Sequence, residues 1–375
     1  MRKKAFVFAA ALWIAAVFFT VKTRVVAFDK LVIAGEKGVY VYDAPEVEFF
    51  YAGTTVHGID DVVDYIAVKE YVAPVDAHYK FFPDDKIKFK KVKHSFGRSV
   101  DKVRLKDDIL TALSVGGGVI KPVYNTVNPQ IYYKDLTEKI TVRSKFFTDF
   151  SWSSDERKSN ILTALKAVNG TVVNSGEQFS FNDTVGSRSE EKGYKTAKII
   201  VDGEFTEGVG GGVCQVSTTL YNAALLAGLK IDEYHPHSLK VSYVESSFDA
   251  MVSYGTCDLK FTNDTGAPVY VKAFADGDKA AVIVYGAKMT KTYERESVVT
   301  EVISPAITRV YSPLLDENEY IIKTAAKDGI KSEGYLIIRS AGGAVSRKLL
   351  RKDAYKPVNG IIETGDKAYE TVKTE

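Results

Sequence analysis

Residues Gly208 to Tyr221 read Gly-Val-Gly-Gly-Gly-Val-Cys-Gln-Val-Ser-Thr-Thr-Leu-Tyr, so Cys214 stands just behind a run of glycines. Beyond the cysteine, Val216, Leu220, Ala224 and Ala227 recur at helical spacing, and Gly228 is suited to stop the helix. The pattern predicts a loop that delivers Cys214 to the first turn of a helix. Free backbone N–H groups and the helix dipole favour a thiolate there, lowering its pKa from the usual value of about 8.5. A loop without side chains also lets a substrate backbone approach and offers N–H groups to an oxyanion. A phosphate-binding loop would need Gly-Lys-Ser/Thr after the glycines, where Val213-Cys214 stands instead. The competing reading is a thiol buried as a small hydrophobe.

A nucleophilic cysteine needs a base within hydrogen-bond reach and a group that orients the base. Two of the 5 histidines fall in Tyr234-His235-Pro236-His237-Ser238, shortly after the Cys214 helix. A β-like run, Leu239 to Val244, follows them, and strand alternation would put both rings on one side. In that arrangement His237 is the base and His235 a substrate or orienting contact; the bland alternative is a polar turn with solvated rings. Asp249 and Asp258 are candidates to orient a histidine, although either could cap a turn. A His-x-His metal site lacks an evident third ligand, so neither metal nor other cofactor is expected. Cys257, in a strand-like context, is a spare or regulatory thiol.

The elements that hold these residues are spread over 375 residues, enough for two or three domains. Hydrophobic residues at 45% and charged residues at 26% are globular values. Fifty basic against 48 acidic side chains leave a formal charge of +2, which argues against nucleic acid as a partner. Abundant Tyr and Phe suggest much sheet. A basic leader, Met1 to Lys4, precedes an apolar run from Ala5 to Val21 with no small-residue cleavage site after it. The expectation is an uncleaved signal anchor over residues 1–27, a single pass of the cell membrane with the N-terminus inside and the bulk of the chain extracellular, facing the cell wall; the alternative is a signal peptide cleaved near Ala27. Residues 28–142 mix short strands with one helix over Leu105 to Val115, closed by Gly116-Gly117-Gly118. In the 143–287 block, Ser153 and Glu156 form a capping box for a helix that ends at Asn169-Gly170. Residues 288–375 alternate as a small all-β module.

The central block resembles a VanW domain over roughly Arg143 to Gly286. The resemblance rests on Arg157-Lys158-Ser159-Asn160-Ile161, Gly176 to Asn182, Gly193-Tyr194, Gly210 to Ser217, Thr219 to Asn222, His235 to Ser238, Asp249-Ala250 and Asp258 to Phe261. Departures are Ser175 in place of a usual Pro, Tyr234 in place of a common Arg, Ser246-Ser247-Phe248 before Asp249, and Cys257. The preceding region resembles, more weakly, the peptidoglycan-binding domain that often comes before VanW domains. The tail resembles the small glycine-named β modules of surface proteins. The implied fold is α+β: a mixed α/β domain flanked by an α+β N-terminal domain and an all-β tail. The implied work is in the cell wall, since some members are similar in role to L,D-transpeptidases. Cys214 would attack the diaminopimelate carbonyl of a stem tetrapeptide, and a second stem's amine would resolve the thioester into a 3-3 cross-link. His237 or His235 would move protons, while loop N–H groups with Gln215 would hold the oxyanion. Gly211, Gly212, Ser217, Arg188 and Asp249 complete the implied substrate contacts. Two other classes stay open: a non-catalytic peptidoglycan-binding surface protein, and a cysteine peptidase or amidase acting on stem peptides.

Overall fold

A computed structural model describes residues 24–25, 27–43, 49–52, 55–136, 139–201 and 204–369. The architecture is mixed and strand-rich, with few helices. The chain divides into two compact units: residues up to Tyr79 with Lys91–Leu136, and Lys80–Lys90 with Thr137 onward. The apolar run expected to anchor the chain lies outside the described residues. Among the described residues, no helix is long and apolar enough to cross a membrane.

In the first unit, strand Lys30–Ala34 lies between Val39–Asp43, antiparallel, and Gly117–Ile120, parallel. Helices α1 (Ile59–Glu70) and α2 (Lys102–Ser114) bury Ile59, Ile66, Leu105 and Ile109 with Leu31 and Ile33. The three glycines that end α2 also begin the parallel strand. Gly117, at φ 118°, brings its backbone so close to Lys30 that a Cβ would lie 2.2 Å from the Lys30 carbonyl oxygen. Buried Glu70 accepts the Tyr40 and Tyr124 hydroxyls at 2.8 Å each, and the amides of Glu36 and Lys37. Burial raises its pKa, but these donors outweigh burial and the net shift is downward. His94 is likewise engaged, accepting from the Tyr133 amide at 3.0 Å.

The second unit is built on an antiparallel sheet in the order Thr141–Asp149, Lys279–Gly286, Val269–Asp276, Val172–Val173. Helices α3 (Asp155–Val168) and α5 (Val213–Leu226) pack on it. The N-cap of α3 is Ser154, which accepts from the Arg157 amide at 3.3 Å; Ser153, expected in that role, instead accepts the Arg157 guanidinium. After strand Gln178–Ser180, helix α4 (Phe181–Val185) adds a short turn capped by the Ser180 hydroxyl. Phe81 and Phe89 meet Tyr270 at ring-centroid distances of 5.4 and 5.1 Å, so a short piece of the early sequence completes this unit.

The tail belongs to the same unit. Strands Lys291–Ile303, Gly329–Ser340 and Val345–Tyr355 form one antiparallel sheet, and Ile307–Tyr311, Gly360–Thr364 and Tyr320–Thr324 form another. The boundary drawn at 287/288 from composition therefore falls inside one compact body. The β-like run expected over Leu239 to Val244 does not form: residues 234–259 contain no regular strand. Later in that stretch the amides of Ser247, Ala250 and Val252 go to Tyr355 of the tail and to Thr218 and Cys214 of α5 in place of a sheet ladder.

Candidate active site

The hairpin Thr196–Val201/Glu204–Val209 leads directly into the glycine turn. Gly210 has φ 88° and Gly212, the N-cap of α5, has φ 109°, a left-handed region that glycine enters without strain. A Cβ on Gly211 would lie 2.7 Å from the Lys198 carbonyl oxygen, and one on Gly212 would lie 3.0 Å from Ile161 Cγ1. Gly211 and Gly212 are thus glycines because scaffold fills the space beside them, not because a substrate needs that space. The turn uses two amides internally, Val213 to Gly210 O and Gln215 to Gly212 O. Among the described residues, the amides of Gly211, Gly212 and Cys214 have no backbone acceptor.

Helix α5 departs from an amphipathic pattern because it is buried all round; Val216, Leu220, Ala223 and Ala224 are each 0% exposed. Its polar side chains are therefore obliged to find partners, and they find them in the run Phe248–Val252. Asn222 Nδ2 donates to the Phe248 carbonyl at 2.8 Å, Thr218 Oγ1 accepts the Ala250 amide at 3.0 Å, and Cys214 Sγ accepts the Val252 amide at 3.5 Å. Steps of four along the helix match steps of two along the facing chain, because four helical residues rise about 6 Å and two extended residues about 6.7 Å. The zipper sets the register of Asp249, which sits between two of these contacts and turns the other way.

Asp249, 1% exposed, accepts the His237 amide and faces His237 Nδ1, both at 2.7 Å from Oδ2. The His237 ring and the Cys214 thiol also act on one another, each shifting the other's ionisation. With Nδ1 engaged by the carboxylate, Nε2 is the nitrogen left for the sulfur. The structure thus brings together the Cys214 thiol, the His237 imidazole and the Asp249 carboxylate, the group types that a nucleophile, its base and an orienter require. Asp249 stands against the imidazole, the position its residue type suggested for an orienting group.

Electrostatics poise this set as an ion pair. Burial alone would raise the Cys214 pKa, but the His237 hydrogen bond and charge, the Val252 amide and the Arg188 charge outweigh it, leaving the thiol below its ordinary range. Burial lowers His237, yet Asp249 and the thiolate overcome this and raise it to about 9. Asp249 is raised by burial, but His237, Arg351 and Tyr355 hold it below the usual carboxylate range. Alkylation of Cys214 should therefore titrate below the usual thiol value of about 8.5. His237→Asn should shift that titration upward, and a thiol that titrates alike in both proteins would count against the pair. Stability carries the matching signs. The His237 contribution is complete below its unfolded pKa of about 6.5 and fades as pH rises through about 9. The Asp249 contribution is present above an unfolded pKa of about 3.9 and fades as pH falls through its lowered folded value.

Other expected site residues lie elsewhere. His235, expected beside His237, is held away from it by Glu233 at 3.0 Å, because no strand aligns the two rings. Gln215, expected at the oxyanion, is 1% exposed and fully spent: it accepts from Arg157 at 2.8 Å and donates to Thr148 Oγ1 and the Asp149 carbonyl. Ser217 donates to the Ala250 and Cys214 carbonyls and is likewise scaffold. Asp258 caps α4, accepting the Ser180 hydroxyl and the Asn182 amide. Cys257 and Cys214 are both free thiols. Arg188 does stand at the site, its charge coupled to Cys214.

Sequence reasoning missed two residues of the tail. Tyr355, 1% exposed, donates to Asp249 Oδ1 at 2.6 Å and accepts the Ser247 amide at 2.8 Å. Arg351, 4% exposed, donates to the Asp249 carbonyl at 2.7 Å and to Oδ1 at 3.4 Å. Ser247 has φ 61°, the one positive value among the described residues other than glycine, so the tail also fixes a strained turn just before Asp249. No local signal could have found contacts spanning 106 residues. Tyr243 and Arg157, both coupled to Cys214, complete the surroundings.

Comparison with known proteins matches two families along this part of the chain. The family described as VanW like protein matches residues 156–285, and the G5 domain family matches residues 294–367. The chain is 38% identical over 174 residues to the Uncharacterized protein YoaR of Bacillus subtilis, covering 46% of this chain and 56% of that protein. It is 31% identical over 147 residues to the Vancomycin B-type resistance protein VanW of Enterococcus faecalis, covering 38% of this chain and 54% of that one. The chain thus spans about half the length of these curated relatives. The IgA1 protease G5 domain structure is 27% identical, covering 20% of this chain and 88% of its own, with a TM-score of 0.16. The triad side chains fall inside the first matched segment and the two residues that grip Asp249 inside the second, so the chain carries a VanW-like domain whose site is closed by the G5 domain that follows it.

Proposed function

We propose that the protein is a cell-wall L,D-transpeptidase acting on peptidoglycan stem peptides through a Cys214 thioester. The observation that carries this reading is the Cys214–His237–Asp249 set, a thiol below its ordinary pKa beside an imidazole raised to about 9. The Cys214 thiolate attacks the diaminopimelate carbonyl of a tetrapeptide stem, and the carbonyl oxygen takes the negative charge. Amides of the Gly211–Cys214 turn are the donors available to that oxyanion. As the tetrahedral intermediate collapses, His237 gives its proton to the departing D-Ala nitrogen and a thioester remains. The side-chain amine of a second stem then attacks the thioester, His237 takes up the proton lost by that amine, and the thiolate is released with a 3-3 cross-link formed. Water in place of the amine would make the same site a carboxypeptidase.

Association with the cell wall is supported by the VanW-like and G5 segments occurring together and by the similarity to a vancomycin-resistance protein. An N-terminal signal anchor would hold the chain at the outer face of the cytoplasmic membrane, and residues 28–142 would bind or position wall polymer. The test is incubation of the protein with disaccharide-tetrapeptide followed by weighing of the products. Dimers lighter than two substrates by one alanine, together with an acyl adduct on Cys214, are expected. Shortened monomers alone would replace transpeptidation by hydrolysis, and unchanged substrate would reject catalysis on this substrate in favour of a binding role.

A further inference from the structure

The site holds a charge that these steps do not use. Both terminal nitrogens of Arg188, Nη1 and Nη2, are buried and have no hydrogen-bond partner among the described residues. The guanidinium lies 5.7 Å from the Phe181 ring centroid and 5.9 Å from that of Tyr254, which is itself 58% exposed. The glycine turn that delivers Cys214 also packs on the stem of this arginine: a Cβ on Gly210 would come within 2.9 Å of Arg188 Cβ. Fork and sulfur are therefore held by one turn and share one field.

A buried guanidinium stays charged, and leaving it unpaired is costly. Neither nearby anion provides a full partner. Asp258 already accepts the Ser180 hydroxyl and the amides of Asn182 and Leu259. The Cys214 sulfur is engaged by His237 and by the Val252 amide, and Arg188 acts on it only through its charge. What remains is a planar fork of parallel donors, the shape that a carboxylate matches with two charge-assisted bonds.

We propose that Arg188 anchors a substrate carboxylate, namely the free C-terminal carboxylate of the amino acid expelled when Cys214 is acylated. The proposal rests on the acyl-transfer reading and narrows its substrate class to peptides that end one residue beyond the bond broken. In such a peptide only one Cα separates the scissile nitrogen from the carboxylate, which suits a fork whose stem packs against the turn that carries the nucleophile. A longer chain would present a neutral peptide group to the fork and leave the charge unpaired.

The test compares a stem tetrapeptide with its C-terminal carboxamide, which differs only in that charge. Calorimetric titration of the full-length Cys214→Ala protein should show the acid binding about 10- to 100-fold more tightly. Adding Arg188→Gln should remove the preference by weakening the acid alone, and Arg188→Lys should restore part of it. Equal binding of acid and amide would overturn the proposal, as would equal weakening of both by Arg188→Gln. If Arg188→Gln fails to fold, the acid-to-amide ratio with Arg188 intact still decides. Thioester formation on the unsubstituted protein separates the two readings. A binding preference without any thioester keeps the carboxylate anchor and removes acyl transfer; thioesters formed equally from both donors keep acyl transfer and remove the anchor.

Discussion

Replacing Cys214 with Ala should abolish thioester and dimer formation, a loss on the order of 10⁴-fold or more, while tetrapeptide binding is retained. The magnitude follows from the chemistry: without the Cys214 sulfur no thioester can form. Ser at the position should serve little better, since its hydroxyl stays protonated where the thiol ionises. His237→Ala should cost nearly as much, because the thiol loses the partner that lowers its pKa and the leaving amine loses its proton donor. His235→Asn removes only a half-exposed pairing with Glu233 and should change turnover little. Cys257→Ala should keep the Cys214 adduct. Mass spectrometry of the protein and its products reads all five. Dimers made by Cys214→Ala would sink the assignment.

A second large effect is expected far from the cysteine in sequence. Arg351→Ala should leave the buried Asp249 charge short of its cationic partner from the tail, a loss of about 3–5 kcal/mol in stability if the fold survives. Tyr355→Phe is the gentler test, removing one hydroxyl that bridges Asp249 and the strained Ser247 turn, at about 1–3 kcal/mol. Both should also disturb chemistry, because a carboxylate free to turn no longer fixes the His237 ring. The discriminating measurement is Cys214 alkylation against pH in Tyr355→Phe: the titration should move upward toward an ordinary thiol. Lower melting temperature with an unmoved titration would make the tail a structural brace only. The same reasoning predicts that a chain ending before Lys288 keeps the VanW-like sequence but not its poised thiol.

The glycine run, the helix it opens and the place of Cys214 in the first turn of that helix were legible in the sequence because each rests on local rules. Positive φ at Gly210 and Gly212, helical spacing after the cysteine and the stop at Gly228 all act within a few residues. His237 and Asp249 were legible as candidates by type, yet their roles were not. Strand alternation wrongly aligned His235 with His237, since the segment following them is shaped by bonds to α5 and not by a ladder. The register that joins Cys214 to Asp249 comes from matching a helix rise to an extended rise across two distant runs, which no window of sequence contains. Gln215 and Ser217 looked available because polar residues beside a nucleophile suggest substrate, whereas burial on all sides of α5 obliges them to satisfy the scaffold. The tail illustrates the limit most clearly. Its alternating pattern determined a β module, but only tertiary packing decided that Arg351 and Tyr355 would pair with Asp249, because a buried carboxylate takes its donors from whatever chain the fold brings within about 3 Å.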